Sequence, residues 1–198
     1  MKAEDVFLRH VKSECEKYNV TFLAKKGKSI KLTNGSYVGG YFDSVMKELA
    51  YPTQSKYYLQ YLTHEFSHMQ QWHEKCDLWL ESEKYEYDIS NWLAGKPIEN
   101  IFSKIDTLKL LELDCEKRTV KNIKKFHLPI DIPTYIQTAN SYILFHNYMK
   151  ETRKWCVISP GDIRHKSLWS ICPNTFKPVS YYASIPKKIY KQFVLLDI

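Results

Sequence analysis

The sequence predicts an α+β chain that is mostly helical, with a small antiparallel sheet near its N-terminus. Three observations predict it. Apolar residues recur at helical spacing over Ala3–Tyr18, Gln54–Trp72, Ser103–Phe126 and the stretch from Asp131 to about Trp155. Between the first two of these lie short β-branched and aromatic runs punctuated by Gly27, Asn34-Gly35 and Gly39-Gly40. The second helix carries His64-Glu65-Phe66-Ser67-His68, with the two histidines one turn apart.

In the first helix Val6, Phe7, Val11 and Cys15 form the apolar face. Val20 to Leu23 and Ile30 to Leu32 are strand candidates, and Asn34-Gly35 is a hairpin turn leading into Tyr37-Val38. The run Tyr41 to Ala50 is expected to continue as an edge strand up to Pro52, and its part from Tyr41 to Leu49 is a candidate shelf for an extended peptide. Pro52 ends that run, Thr53 or Ser55 is placed to cap the next helix, and no Gly or Pro interrupts it from Gln54 to Trp72.

Within that helix Leu59, Leu62, Phe66 and Met69 share one face, so His64 and His68 fall beside the core stripe, at the edge of a cleft. Residues four apart on a helix differ by about 40° around the axis, so both rings can reach one tetrahedral ion. Glu65, about 100° away, is displaced from equal ligation but placed to act as a general base on a water at the ion's open position.

A zinc ion with two histidine ligands needs a further protein ligand. Glu74 follows His68 where some zinc peptidases place theirs, but Gln71 stands where those need a glycine to turn the chain, which disfavours Glu74. On the helix from Ser103 to Phe126, Glu112 and Glu116 lie in the middle of a face made by Leu108, Leu111, Leu113, Cys115, Thr119, Val120 and Ile123. A carboxylate in apolar surroundings is costly unless a cation neutralises it, so either glutamate is a candidate ligand. Small Cys115 and Thr119 allow this helix to approach the histidine helix closely.

His64-Glu65-Phe66-Ser67-His68 followed by Glu112-Leu113-Asp114-Cys115-Glu116 resembles the gluzincin metallopeptidases, whose second motif is Glu-x-x-Ala-Asp. In size and style the chain is similar to compact cytosolic ImmA/IrrE-like proteins and to small phage-encoded metallopeptidases. The resemblance implies a zincin-like fold with one Zn2+ held by His64, His68 and Glu112. Glu116 then stands where an acidic residue orients a ligand histidine, as a neighbour or alternative ligand. The implied activity is hydrolysis of peptide bonds by a zinc-bound water that Glu65 activates. Cys115 in place of Ala and Glu116 in place of Asp are departures from the family pattern.

Tyr142, His146 and Tyr148 on the following helix are candidate donors to the developing oxyanion. Gly95-Lys96-Pro97 marks a loop, and the proline-rich stretch after Val157 predicts an irregular extension, dividing the chain into a domain over 1–156 and an extension over 157–198. The formal charge of +7 is spread among acids along the chain, which favours a peptide or protein substrate over nucleic acid. An alternative in another class is a non-catalytic zincin-fold regulatory module whose basic surface binds an acidic partner or nucleic acid. Five scattered cysteines with no Cys-x-x-Cys pair predict reduced thiols. With no leader-like or membrane-length apolar run, the expected location is cytoplasmic, in the host if the chain is viral.

Overall fold

A computed structural model describes residues 2–33 and 35–198. The chain is α+β and mostly helical, with few short strands. It divides into two compact units: residues 1–76 with 115–130, and residues 77–114 with 131–198. The stretch 157–198 thus belongs to the second unit together with 131–156.

In the first unit, α1 (Ala3–Lys17) buries Phe7, Val11 and Cys15. The strands are β1 (Thr21–Lys25), β2 (Ile30–Lys31), β3 (Tyr37–Val38), β4 (Tyr41–Asp43) and β5 (Glu48–Pro52). The expected antiparallel sheet is in fact mixed, in the order β1-β5-β4, with β1 parallel to β5 and β4 antiparallel to it. The small hairpin β2–β3 stands apart from it. β5 takes the centre because its Leu49, Ala50, Tyr51 and Pro52 are all buried, whereas β1 is only half-buried. Asn34 of the expected hairpin turn lies outside the described residues, while Gly35 follows at φ +86° and donates its N–H to Leu32 O.

The run from Tyr41 to Ala50 does not stay extended. Asp43 Oδ1 accepts from the backbone of Val45 (2.9 Å) and Met46 (2.8 Å), and Lys47 adopts φ +52°, turning the chain between β4 and β5. The edge strand formed by this run is therefore the three residues of β4, shorter than the expected shelf.

The histidine helix is α2 (Tyr58–His73), and it packs on β4 and β5. Leu59, Leu62, Phe66 and Met69 are buried as their spacing requires, with Phe66 edge-on to Phe7. No side chain caps its N-terminus, although Ser55 Oγ accepts from Tyr57 N in the turn before it.

α3 (Asp77–Glu83), α4 (Glu86–Leu93), the first part of α5 (Ile101–Lys125), α6 (Ile132–Thr152), α7 (Lys166–Trp169) and α8 (Lys187–Leu195) make the second unit. Its core gathers Ile105, Leu113, Ile143, Phe145, Met149 and Phe193. The tail after Val157 is less irregular than its prolines suggest, since α8 buries Ile189 and Phe193 one turn apart. Its non-helical parts are held by amides of α6. Asn140 Nδ2 donates to Pro173 O (2.7 Å) and Thr175 O, Asn140 Oδ1 accepts from the Tyr182 hydroxyl (2.6 Å), and Asn147 Nδ2 donates to Tyr182 O (2.9 Å). At Gly95-Lys96-Pro97 the loop is closed by Arg153, which donates to Trp92 O and Lys96 O. No described helix is long and apolar enough to cross a membrane.

Candidate metal centre

The first unit brings its two histidines together through one turn of α2. Their Nε2 atoms lie 3.2 Å apart, and each ring is held from behind at Nδ1. His68 Nδ1 is 2.9 Å from Gln71 Oε1, and His64 Nδ1 is 3.2 Å from Glu116 Oε1. Both partners are acceptors, so each Nδ1 carries the proton and both Nε2 lone pairs point at the same space.

Two lone pairs facing each other at that distance repel unless a cation lies between them. Two nitrogens at about 2.0–2.1 Å from a tetrahedral ion are themselves separated by roughly 3.3 Å, so the observed spacing fits zinc. The electrostatics of the two rings differ. Burial opposes charge on His64, but Cys115 and Glu116 outweigh it and raise its pKa well above the ordinary range. Burial and then the charge of His64 lower His68 to about 4. His64 is thus the ring of the pair that favours positive charge, and His68 the one that disfavours it.

α2 and the second part of α5 meet through small polar residues. Thr119 Oγ1 lies 3.0 Å from Ser67 Oγ, and Asn122 Nδ2 reaches Gln70 Oε1 at 2.9 Å. That contact places Cys115 and Glu116 against His64. Among the described residues, His64, His68 and Cys115 form a group with ligand atoms within 4.8 Å of one another. The thiol lies 3.7 Å from His64 Nδ1 and 3.4 Å from His64 O. We read it as a brace for the His64 backbone, because an ion binds one nitrogen of each ring.

Glu65 is also held. Its Oε2 accepts from the Phe42 backbone N–H on β4 at 3.0 Å. Glu74 is engaged by Arg118 (2.5 Å).

The other candidates belong to the second unit. Glu112 is buried on α5, one turn before Glu116, and its charge acts on His146. His146 is fully buried, with Nδ1 3.1 Å from Tyr142 O, so its Nε2 offers a lone pair instead of the proton an oxyanion needs. Burial lowers its pKa further from protonation. Tyr148 is a core residue whose ring stacks on Phe193 at 5.1 Å, and Tyr142 sits edge-on to Trp155.

Sequence reasoning missed Gln71 and the Phe42 amide. Gln71 had a signal, being three residues after His68 on the same helix. A backbone amide has none. No protein-family model matches the chain, and neither a curated protein nor a solved structure shows significant similarity to it.

Proposed function

We propose that the chain is a zinc-dependent peptidase with a zincin-like arrangement built on the histidine helix α2. The observation that carries this reading is the convergence of His64 and His68 Nε2 at 3.2 Å, with both Nδ1 atoms engaged by acceptors. His64 and His68 would hold the ion, and Glu112 is the third ligand that the gluzincin resemblance implies. Zinc bound there supplies Lewis acidity toward a peptide carbonyl and lowers the pKa of water.

The chain's own residues do the rest. Gln71 and Glu116 fix the ring tautomers and aim both Nε2 atoms. Glu65 takes a proton from the water that attacks the carbonyl carbon and delivers it to the nitrogen of the departing amine, so that one water is consumed per bond cleaved. A glutamate at position 65 is not required for ligation alone, which supports a catalytic use of the site.

Purified protein should carry about one equivalent of zinc. Glu65→Gln should keep that zinc while losing hydrolysis of a peptide that the parent cleaves, because a carboxamide cannot accept the proton. Absence of zinc uptake on titration, or hydrolysis by Glu65→Gln at the parental rate, would refute the reading.

A further inference from the structure

The edge of β4 and α2 approach so closely that two consecutive glycines are needed between them. A Cβ on Gly39 would lie 2.6 Å from Cε1 of the Tyr61 ring, and a Cβ on Gly40 would lie 3.1 Å from both Glu65 Cγ and Ala50 O. Tyr61 and Glu65 are one turn apart on α2, so the glycine pair passes over a single stripe of that helix. Directly after it, the Phe42 ring packs against Trp72 at 5.5 Å, and the Phe42 amide reaches Glu65 Oε2. Phe42 pairs with Leu49 in the β4–β5 ladder, which fixes the position of its amide.

We propose that Gly40 and the Phe42 backbone N–H form a seat for Glu65, making both positioning residues for the general base. The inference rests on reading Glu65 as that base. The bond holds Oε2 and restrains the carboxylate. Without it, a half-buried glutamate side chain can sample several rotamers, and the reactive geometry is only one of them. The room for the carboxylate stem comes from the missing Cβ at residue 40. A side chain there must displace either Glu65 Cγ or the β5 carbonyl.

Hydrogen exchange of the Phe42 amide, followed by NMR on the full chain loaded with zinc, tests the seat without relying on turnover. Loss of a hydrogen bond to a charged acceptor should speed Phe42 exchange about tenfold in Glu65→Ala. Glu65→Gln should restore protection, because its amide oxygen still accepts. Gly40→Ala should show the same acceleration while zinc remains bound. Unchanged Phe42 exchange in Glu65→Ala overturns the seat. So does equal acceleration of the amides inside the β4–β5 ladder, which would mark a loosened strand instead of one lost bond.

A mixture of quenched fluorescent peptides, offered to the same samples, reports separately on hydrolysis. No cleavage by the zinc-loaded parent defeats the peptidase reading, and the exchange contrast still decides whether the seat exists. Cleavage by Gly40→Ala at the parental rate overturns the positioning role.

Discussion

At residue scale the centre depends on groups that touch the histidines from behind, and their replacement separates holding an ion from orienting its ligands. Loss of a residue that orients a ligand costs about 10–100-fold in metal affinity or activity. Glu116→Gln and Gln71→Ala should fall in that range, because the first replaces the charged acceptor at His64 Nδ1 by a neutral one, the second removes the acceptor at His68 Nδ1, and both leave the Nε2 atoms in place. Glu112→Gln should be the severe lesion if that carboxylate completes the ligand set. Zinc dissociation measured by chelator competition ranks the three, and a parental constant for Glu112→Gln moves the third ligand elsewhere. His64, Glu65 and His68 were legible in sequence because a helix converts spacing into direction. Glu116 was legible as a carboxylate on an apolar face. The Phe42 amide was not, since every non-proline residue carries one and only the packing of β4 on α2 selects it.

Elements show the same split. Helical periodicity located α1, α2, α5 and α6 closely, because each buries a full apolar face. Pairing among strands of two to five residues was beyond reach: β1 meets β5 in parallel across the intervening hairpin, and nothing local in either strand encodes the partner. The turn at Asp43 was signalled by an acid able to bond the amides ahead of it, a pattern hidden inside an apolar run. α8 was signalled too, by Pro186 before Lys187 and by Ile189 and Phe193 at helical spacing, but the surrounding prolines masked it. Its docking depends on a residue in α6. Asn140→Ala removes the donor to two backbone carbonyls and the acceptor of the Tyr182 hydroxyl and should cost about 3 kcal/mol, taking each lost buried bond at roughly 1 kcal/mol. Urea unfolding reads this as a lower midpoint, and an unchanged midpoint would mean that the tail is not fixed through Asn140.

For the whole molecule, acid stability should carry the mark of one ion cluster. Asp106 accepts from Lys109 (2.6 Å) and Lys150 (2.5 Å), and these ammonium groups hold its carboxyl below the ordinary range despite the opposing effect of burial. Burial meanwhile lowers Lys109, so the two partners shift in senses that favour and oppose the ion pair. The carboxylate has two cations to one anion, and its direction governs the acid side. Its stabilising contribution is complete above the unfolded carboxyl value of about 3.9 and disappears as pH falls through the lower folded value. Asp106→Asn should therefore be less stable than the parent at pH 7 and converge on it near pH 2, as followed by denaturant unfolding across that range. A constant difference would exclude Asp106 as the source. A different consequence follows from the bracing of the two imidazoles by Gln71 and Glu116. Gln71 and Glu116 hold the two rings by hydrogen bonds of the fold itself, so the proposed ion would not be the only thing that fixes them. Small zinc modules, by contrast, unfold when stripped. Chelation here should remove the ion with little change in the far-ultraviolet circular dichroism, and added zinc should return it within the time of mixing. Output would then track the free zinc of the surroundings from moment to moment, and a starved pool of protein could be recharged without new synthesis.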